Sequence, residues 1–151
     1  LLDEVIAESL RHISRKHDDY KIMADCEELV LVRMDVRLII QVLVNLIDNA
    51  IKYTLPGSVI CIRGIKTEGK AQISVEDNGP GIPEEMKPHI FEMFYTGKTT
   101  VADSHRSLGL GLALCHSIIE AHNGTLILTD HAPHGCNFIF TLPLSEVTLN
   151  E

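Results

Sequence analysis

Apolar positions recur along the chain with two different periods, and the order in which those periods follow one another outlines the domain. Leu2, Val5, Ile6, Leu10 and Ile13 fall at three- and four-residue steps, the spacing of an amphipathic helix, which the charged cluster RKHDD at 15–19 would end. YKIMAD and LVLVRM then read as short strands. From Val36 to Tyr53 the period is helical again: Ile39, Leu43, Leu46, Ile47 and Ala50 gather on one side of the wheel, Asp35 stands where a cap is needed, and LPG at 55–57 closes the element. SVICIRGIK and KAQISVED flank TEG as a hairpin, and near the end TLILTD and NFIFTLPL bracket the turn HAPHG. Before them Leu110, Leu114, Ile118 and Ala121 keep helical spacing up to a stop at Asn123 and Gly124. The stretch from Asn78 to Leu108 is rich in Gly, Pro and Thr, with one short helix-like run from Pro83 to Phe94, as expected of a binding loop or a linker. Helical and strand periods do not alternate strictly. That disfavours a doubly wound parallel sheet and predicts an α+β fold, a two-layer sandwich in which helices cover one face of a mixed sheet.

Composition narrows the picture. A chain of 151 residues has room for one domain, expected to span 1–151. Its 45% hydrophobic and 23% charged residues lie close to the ordinary globular values of about 45–50% and about 25%, which sets aside disordered, collagenous and coiled-coil readings. LIIQVLVNLI at 38–47 carries polar breaks and is shorter than the roughly 18–20 residues a bilayer span requires. The net charge of −8 has the wrong sign for a nucleic-acid groove, so any anionic ligand must be held by local groups. Cys26, Cys61, Cys115 and Cys136 form no CxxC pair and have no His partners at zinc spacing, as expected of a reducing, cytosolic setting. The opening LLDEVIAESL has neither Met nor a signal-peptide pattern, so the chain is expected to be a piece of a longer protein.

Three segments carry the candidate chemistry. On the helix from Val36 to Tyr53, the side opposite the apolar stripe holds Gln41, Asn45, Asp48, Asn49, Lys52 and Tyr53. A merely solvated face would favour Lys, Glu or Gln; two Asn at i and i+4 are poor helix formers and suggest a task. Amide oxygens are hard, neutral ligands suited to Mg²⁺, and Lys52 could reach a phosphate oxygen. DNGPGIP at 77–83 follows a strand, and its two glycines permit close approach; Asp77, at the end of a buried strand, needs a hydrogen-bond donor that a ligand amine could supply. SLGLGLAL at 107–114 reads as a Gly-rich loop entering a helix, where freed N–H groups and the helix dipole favour an anion, although close helix packing would use the same glycines. No GK[ST] follows it, so it is not a Walker loop, and it is not read as a dinucleotide fingerprint either.

Taken together and in order, these segments resemble the boxes of sensor histidine kinases: QVLVNLIDNAIKYT the N box, DNGPGIP the G1 box, IFEMFYTG the F box and SLGLGLAL the G2 box, over about 35–144. The detail around DNGPGIP, the lid and the last strands is most similar to the potassium-responsive sensor kinases. The resemblance implies a Bergerat-type ATP-binding fold, with ATP and Mg²⁺ between a helix and a lid. It implies that Asn49 coordinates Mg²⁺ with support from Asn45, that Lys52 meets phosphate and that Tyr53 stacks near adenine. Asp77 would accept from the adenine amino group, with Gly79, Gly81 and Ile82 shaping the pocket. Gly109 and Gly111, with Leu110 and Leu112 beside them, would let the lid close, and Phe91 and Phe94 would anchor it. The expected activity is transfer of the ATP γ-phosphoryl to a histidine on a separate dimerisation domain, in two-component signalling through a response regulator. The chain would be a cytoplasmic domain of a membrane-anchored parent, without nucleic acid or direct membrane contact.

Two positions depart from the family pattern. Ser107 replaces the first glycine of the G2 box, and Thr96 stands where many members carry Arg, so that either Lys98, His105 or Arg106 supplies the lid's positive charge or the lid holds phosphate less tightly. None of the eight histidines lies in an HE-plus-Pro acceptor context, so the phosphoacceptor is expected on another segment. Hydrolysing clamps that share this fold place Glu where this chain has Asn45, and an amide cannot take a proton from water. A nucleotide-sensing module without transfer activity is the other alternative.

Overall fold

The computed structural model describes residues 1–13, 21–27, 30–52, 57–79, 106–130 and 135–144, the side chains of Lys52, 106–110 and Asp130 excepted. Their order is α1 (Leu2–Arg11), β1 (Lys21–Cys26), α2 (Val36–Lys52), β2 (Val59–Thr67), β3 (Lys70–Asp77), α3 (Arg106–Ala121), β4 (Leu126–Asp130) and β5 (Cys136–Pro143). The strands form a five-stranded sheet in the order β1-β2-β3-β5-β4, with β1 parallel to β2 and the other pairs antiparallel. This is the expected two-layer α+β sandwich with a mixed sheet. No described helix is long and apolar enough to cross a membrane.

Period-2 alternation decides which sheet face is covered. On β5, Cys136, Phe138, Phe140 and Leu142 are buried while Asn137, Ile139 and Thr141 are half-buried. Register stacks Phe138, Phe140 and Leu142 against Val75, Ile73 and Ala71 of β3, all buried. Against this face α2 lays Ile39, Leu43, Leu46, Ile47 and Ala50, the five residues that the helical wheel selects. Each large apolar side chain taken out of water there contributes roughly 1.5–3 kcal/mol. Asp35 caps α2 as expected, its Oδ1 accepting from Leu38 N at 3.4 Å. β2 and β3 are joined by the hairpin centred on Glu68 and Gly69, both at positive φ, which matches the right-handed twist of the pair.

Three sequence expectations need correction. LVLVRM is not a strand: of its described residues only Val32 forms a bridge, with Leu144, and Val30 O accepts from Leu2 N at 2.9 Å. The segment's hydrogen bonds thus go to the start of α1 and to the chain beyond β5, and buried Val30 serves as an anchor. SLGLGLAL is not a loop leading to a helix, because α3 begins at Arg106 and its first turns include Gly109 and Gly111. The buried stripe of α3 is also displaced from the one expected: Leu112, Cys115, Ile118 and Ile119 face inward, while Leu114 is 40% exposed and Ala121 is exposed. The helix-like run 83–94 lies outside the described residues.

Candidate functional site

The polar side of α2 and the inward side of α3 meet where the two helices pack against each other. Asn45 and Asn49 stand one turn apart on α2, so their amides lie on one face. Asn49 is only 5% exposed, and among the described residues its buried Oδ1 has no hydrogen-bond partner. A buried carbonyl oxygen left in that state costs about 1–3 kcal/mol, which a cation or donor would recover. Asn45 is half-buried, and its Nδ2 lies 3.8 Å from Cys115 Sγ. Gly111 comes against the same side chain: a Cβ built there would sit 3.7 Å from Asn45 Nδ2. With α3 beginning at Arg106, its unsatisfied N–H groups belong to about the first four residues, so Gly111 meets α2 by packing and lies beyond the free helix terminus.

The other wall is the C-terminal end of β3. Asp77 is 7% exposed, and its Oδ1 accepts from Gly79 N at 2.9 Å and from Cys136 N at 3.4 Å. The first bond is an Asx turn that folds the start of DNGPGIP back on the strand. The donor that a buried carboxylate needs is therefore supplied in part by the chain itself. Gly135 closes this corner at φ +122; a Cβ there would fall 1.9 Å from Asp77 O, so only glycine fits. Asn78 Oδ1 accepts from Val59 N at 2.9 Å, which ties the loop after β3 to the first residue of β2. Because only residues 53–58 separate α2 from β2, and Ile60 pairs with Asp77, the C-terminal end of α2 and Asp77 belong to the same end of the sheet.

Of the residues nominated from sequence, the structure brings Asn45 to Gly111 and buries Asn49, Asp77 and Leu112. Gly79 takes part through its N–H. Lys52 is the last residue of α2, and Gly109 and Leu110 lie within α3. Tyr53, Gly81, Ile82 and Lys98 lie outside the described residues, as do Phe91, Phe94, Thr96 and His105. Sequence reasoning missed Cys115, Gly135 and Cys136. Cys115 stands in the sequence only as one of four cysteines without a CxxC pair, and Gly135 only as a turn residue. Among the described residues no group of three or more His, Cys, Asp or Glu could hold a metal.

Residues 34–146 match the family model described as histidine kinase-, DNA gyrase B- and HSP90-like ATPase. The sensor protein KdpD of Clostridium acetobutylicum is 38% identical over 144 residues, covering 95% of this chain and 16% of that protein. The chain thus spans about one sixth of the length of this relative. The solved catalytic domain of histidine kinase ThkA superposes with a TM-score of 0.81 at 35% identity, over 94% of this chain and 91% of that one. A structure of ThkA in complex with the response regulator protein TrrA superposes with a TM-score of 0.78 at 32% identity, over 95% of this chain and 40% of that one.

Proposed function

Since the chain belongs to the histidine kinase-, DNA gyrase B- and HSP90-like ATPase family, as a catalytic ATP-binding domain of the histidine kinase type, we propose that it binds Mg²⁺-ATP between α2 and α3 and presents the γ-phosphoryl to a histidine on a dimerisation domain of its parent. The observation that carries the metal part is the buried Oδ1 of Asn49, which has no partner among the described residues. A neutral amide oxygen fits the hard-ligand preference of Mg²⁺, with Asn45 one turn earlier in support. When bound, the ion supplies neutralisation of phosphate charge. Asp77 accepts from the adenine amino group at the closed end of the crevice, and Lys52 meets phosphate at the end of α2. Tyr53, Gly81, Ile82 and Lys98 complete the proposed contacts with base and lid, and Gly109, Leu110, Gly111 and Leu112 form the α3 side. Asn45 cannot act as a base toward water, so water is not activated and the nucleotide is kept for transfer. The downstream partner is a response regulator, and the parent is a membrane-anchored sensor with this domain in the cytoplasm.

Titration calorimetry of ATP with and without Mg²⁺ tests the reading. Wild type binds more tightly with Mg²⁺, and Asn49→Ala removes more of that gain than Asn45→Ala. Equal affinity of the wild type in the two conditions overturns the metal assignment.

A further inference from the structure

Cys115 is fully buried on α3, one turn after Gly111, and is in contact with two groups of α2. Its Sγ lies 3.8 Å from Val42 O and 3.8 Å from Asn45 Nδ2. The two contacts pair the three groups as follows. A carbonyl only accepts, so the single thiol hydrogen goes to Val42 O; an amide NH₂ only donates, so the sulfur lone pair accepts from Asn45. Turning the Asn45 amide over would satisfy its oxygen only by taking the thiol hydrogen away from Val42 O. Gly111 lies against the same amide: a Cβ there would be 3.8 Å from Asn45 Cγ, an ordinary van der Waals contact.

We propose that Cys115 is a positioning residue for Asn45: anchored on Val42 O, its thiol holds Asn45 Nδ2 and thereby commits the opposite end of the amide, Oδ1, to the nucleotide side of the crevice. The proposal rests on the reading of Asn45 as support for the Mg²⁺-nucleotide complex. It assigns to α3 a part in preparing a donor on α2, so that nucleotide binding is sensitive to how closely the two helices approach.

The test compares Cys115→Ser, which keeps donor and acceptor, with Cys115→Val, which keeps size and apolarity but has neither. Cys115→Ala takes the place of the Val variant if that one does not fold, with circular dichroism as the check. The first readout is the Asn45 side-chain NH₂ resonance pair, assigned by its disappearance in Asn45→Ala. It should shift and lose hydrogen-exchange protection in Cys115→Val and stay near wild type in Cys115→Ser. The second is the Mg²⁺-dependent gain in ATP affinity, which should fall about three- to tenfold in Cys115→Val and less than about twofold in Cys115→Ser, with affinity in EDTA unchanged. In Asn45→Ala the further change to Val should cost nothing more. Unmoved Asn45 resonances in Cys115→Val overturn the proposal, and so does an additive double variant. Loss of affinity in EDTA as well, or equal loss in Ser and Val, marks Cys115 as packing alone and also overturns it. If the resonances move while Asn45→Ala leaves the Mg²⁺ gain intact, the positioning contact stands and the functional reading of Asn45 fails.

Discussion

Asp77 Oδ1 accepts from the backbone at Gly79 N and Cys136 N, which ties the buried carboxylate to the chain after β3 and to the start of β5. In the proposed complex this carboxylate would accept from the N6 amine of adenine but would face the carbonyl oxygen of guanine. A hydrogen bond to a charged group contributes about 1.5–3 kcal/mol, roughly 10- to 150-fold in affinity. Competition binding should show ATP preferred over GTP by at least about tenfold, and Asp77→Asn should largely erase the preference; its survival would put the base contact elsewhere. Cys115 carries a pH effect as well. Its folded value, about 12, lies above the ordinary 9.0, so native protein holds a proton that unfolded chain gives up between those values. Below pH 9.0 both states are protonated and the group is silent; above it, unfolding is favoured by at most about 1.4 kcal/mol per pH unit. Urea denaturation between pH 8 and about pH 10.5 should show wild-type stability falling more steeply than that of Cys115→Ser.

At the scale of elements, the C-terminal end of α3 is held in two ways. The last turn closes with Asn123 at φ 65 and Gly124 N bonded to Ile119 O at 3.0 Å, a Schellman stop with Asn in the left-handed position. His122 then joins α3 to the start of α2: its Nδ1 lies 2.8 Å from Ile118 O and its Nε2 accepts from Asp35 N at 3.0 Å. Only the neutral Nδ1–H tautomer satisfies both contacts. His122→Ala should cost about 1–3 kcal/mol in urea denaturation, more than His122→Asn, whose amide can restore one contact. β5 depends on the conformation of Gly135. Gly135→Ala introduces left-handed strain of about 1–3 kcal/mol and also a Cβ clash with Asp77 O, so it should lower both the melting temperature and ATP affinity. A variant as stable as wild type, bound to ATP with unchanged affinity, would contradict the close approach.

For the molecule as a whole, the proposed reaction requires an acceptor that this chain does not present in the expected context. Phosphoryl transfer relies on a nucleophile held in line at about 3–3.5 Å, and a freely diffusing acceptor lacks that effective molarity. Incubated with γ-labelled ATP, the chain alone should bind nucleotide, remain unlabelled and release phosphate slowly. Joined covalently to the dimerisation helices of its parent, it should give an acid-labile, base-stable phosphohistidine. Rapid phosphate release by the chain alone would favour hydrolysis. A joined protein that binds ATP and stays unlabelled would favour a sensing role.

The positions that one period governs were legible in the chain itself. The apolar stripe of α2, the β2–β3 hairpin, the alternation of β5 and the stop at Asn123 each depend on residues a few positions apart, and local sterics and burial act at that range. The four boxes were legible for the same reason, as short runs with fixed internal spacing. Other features required the assembled fold. LVLVRM has the alternation of a strand, yet it finds only the bridge to Leu144, because a strand exists only where a neighbour offers a ladder. SLGLGLAL has two glycines that each disfavour helix by about 1 kcal/mol, yet α3 includes them, because packing against α2 outweighs local propensity. The insertion of β5 between β3 and β4, the parallel pairing of β1 with β2, and the meeting of Cys115 with Asn45 across 70 residues are non-local. A linear sequence specifies which side of each element avoids water; only the packed structure decides which other element that side meets.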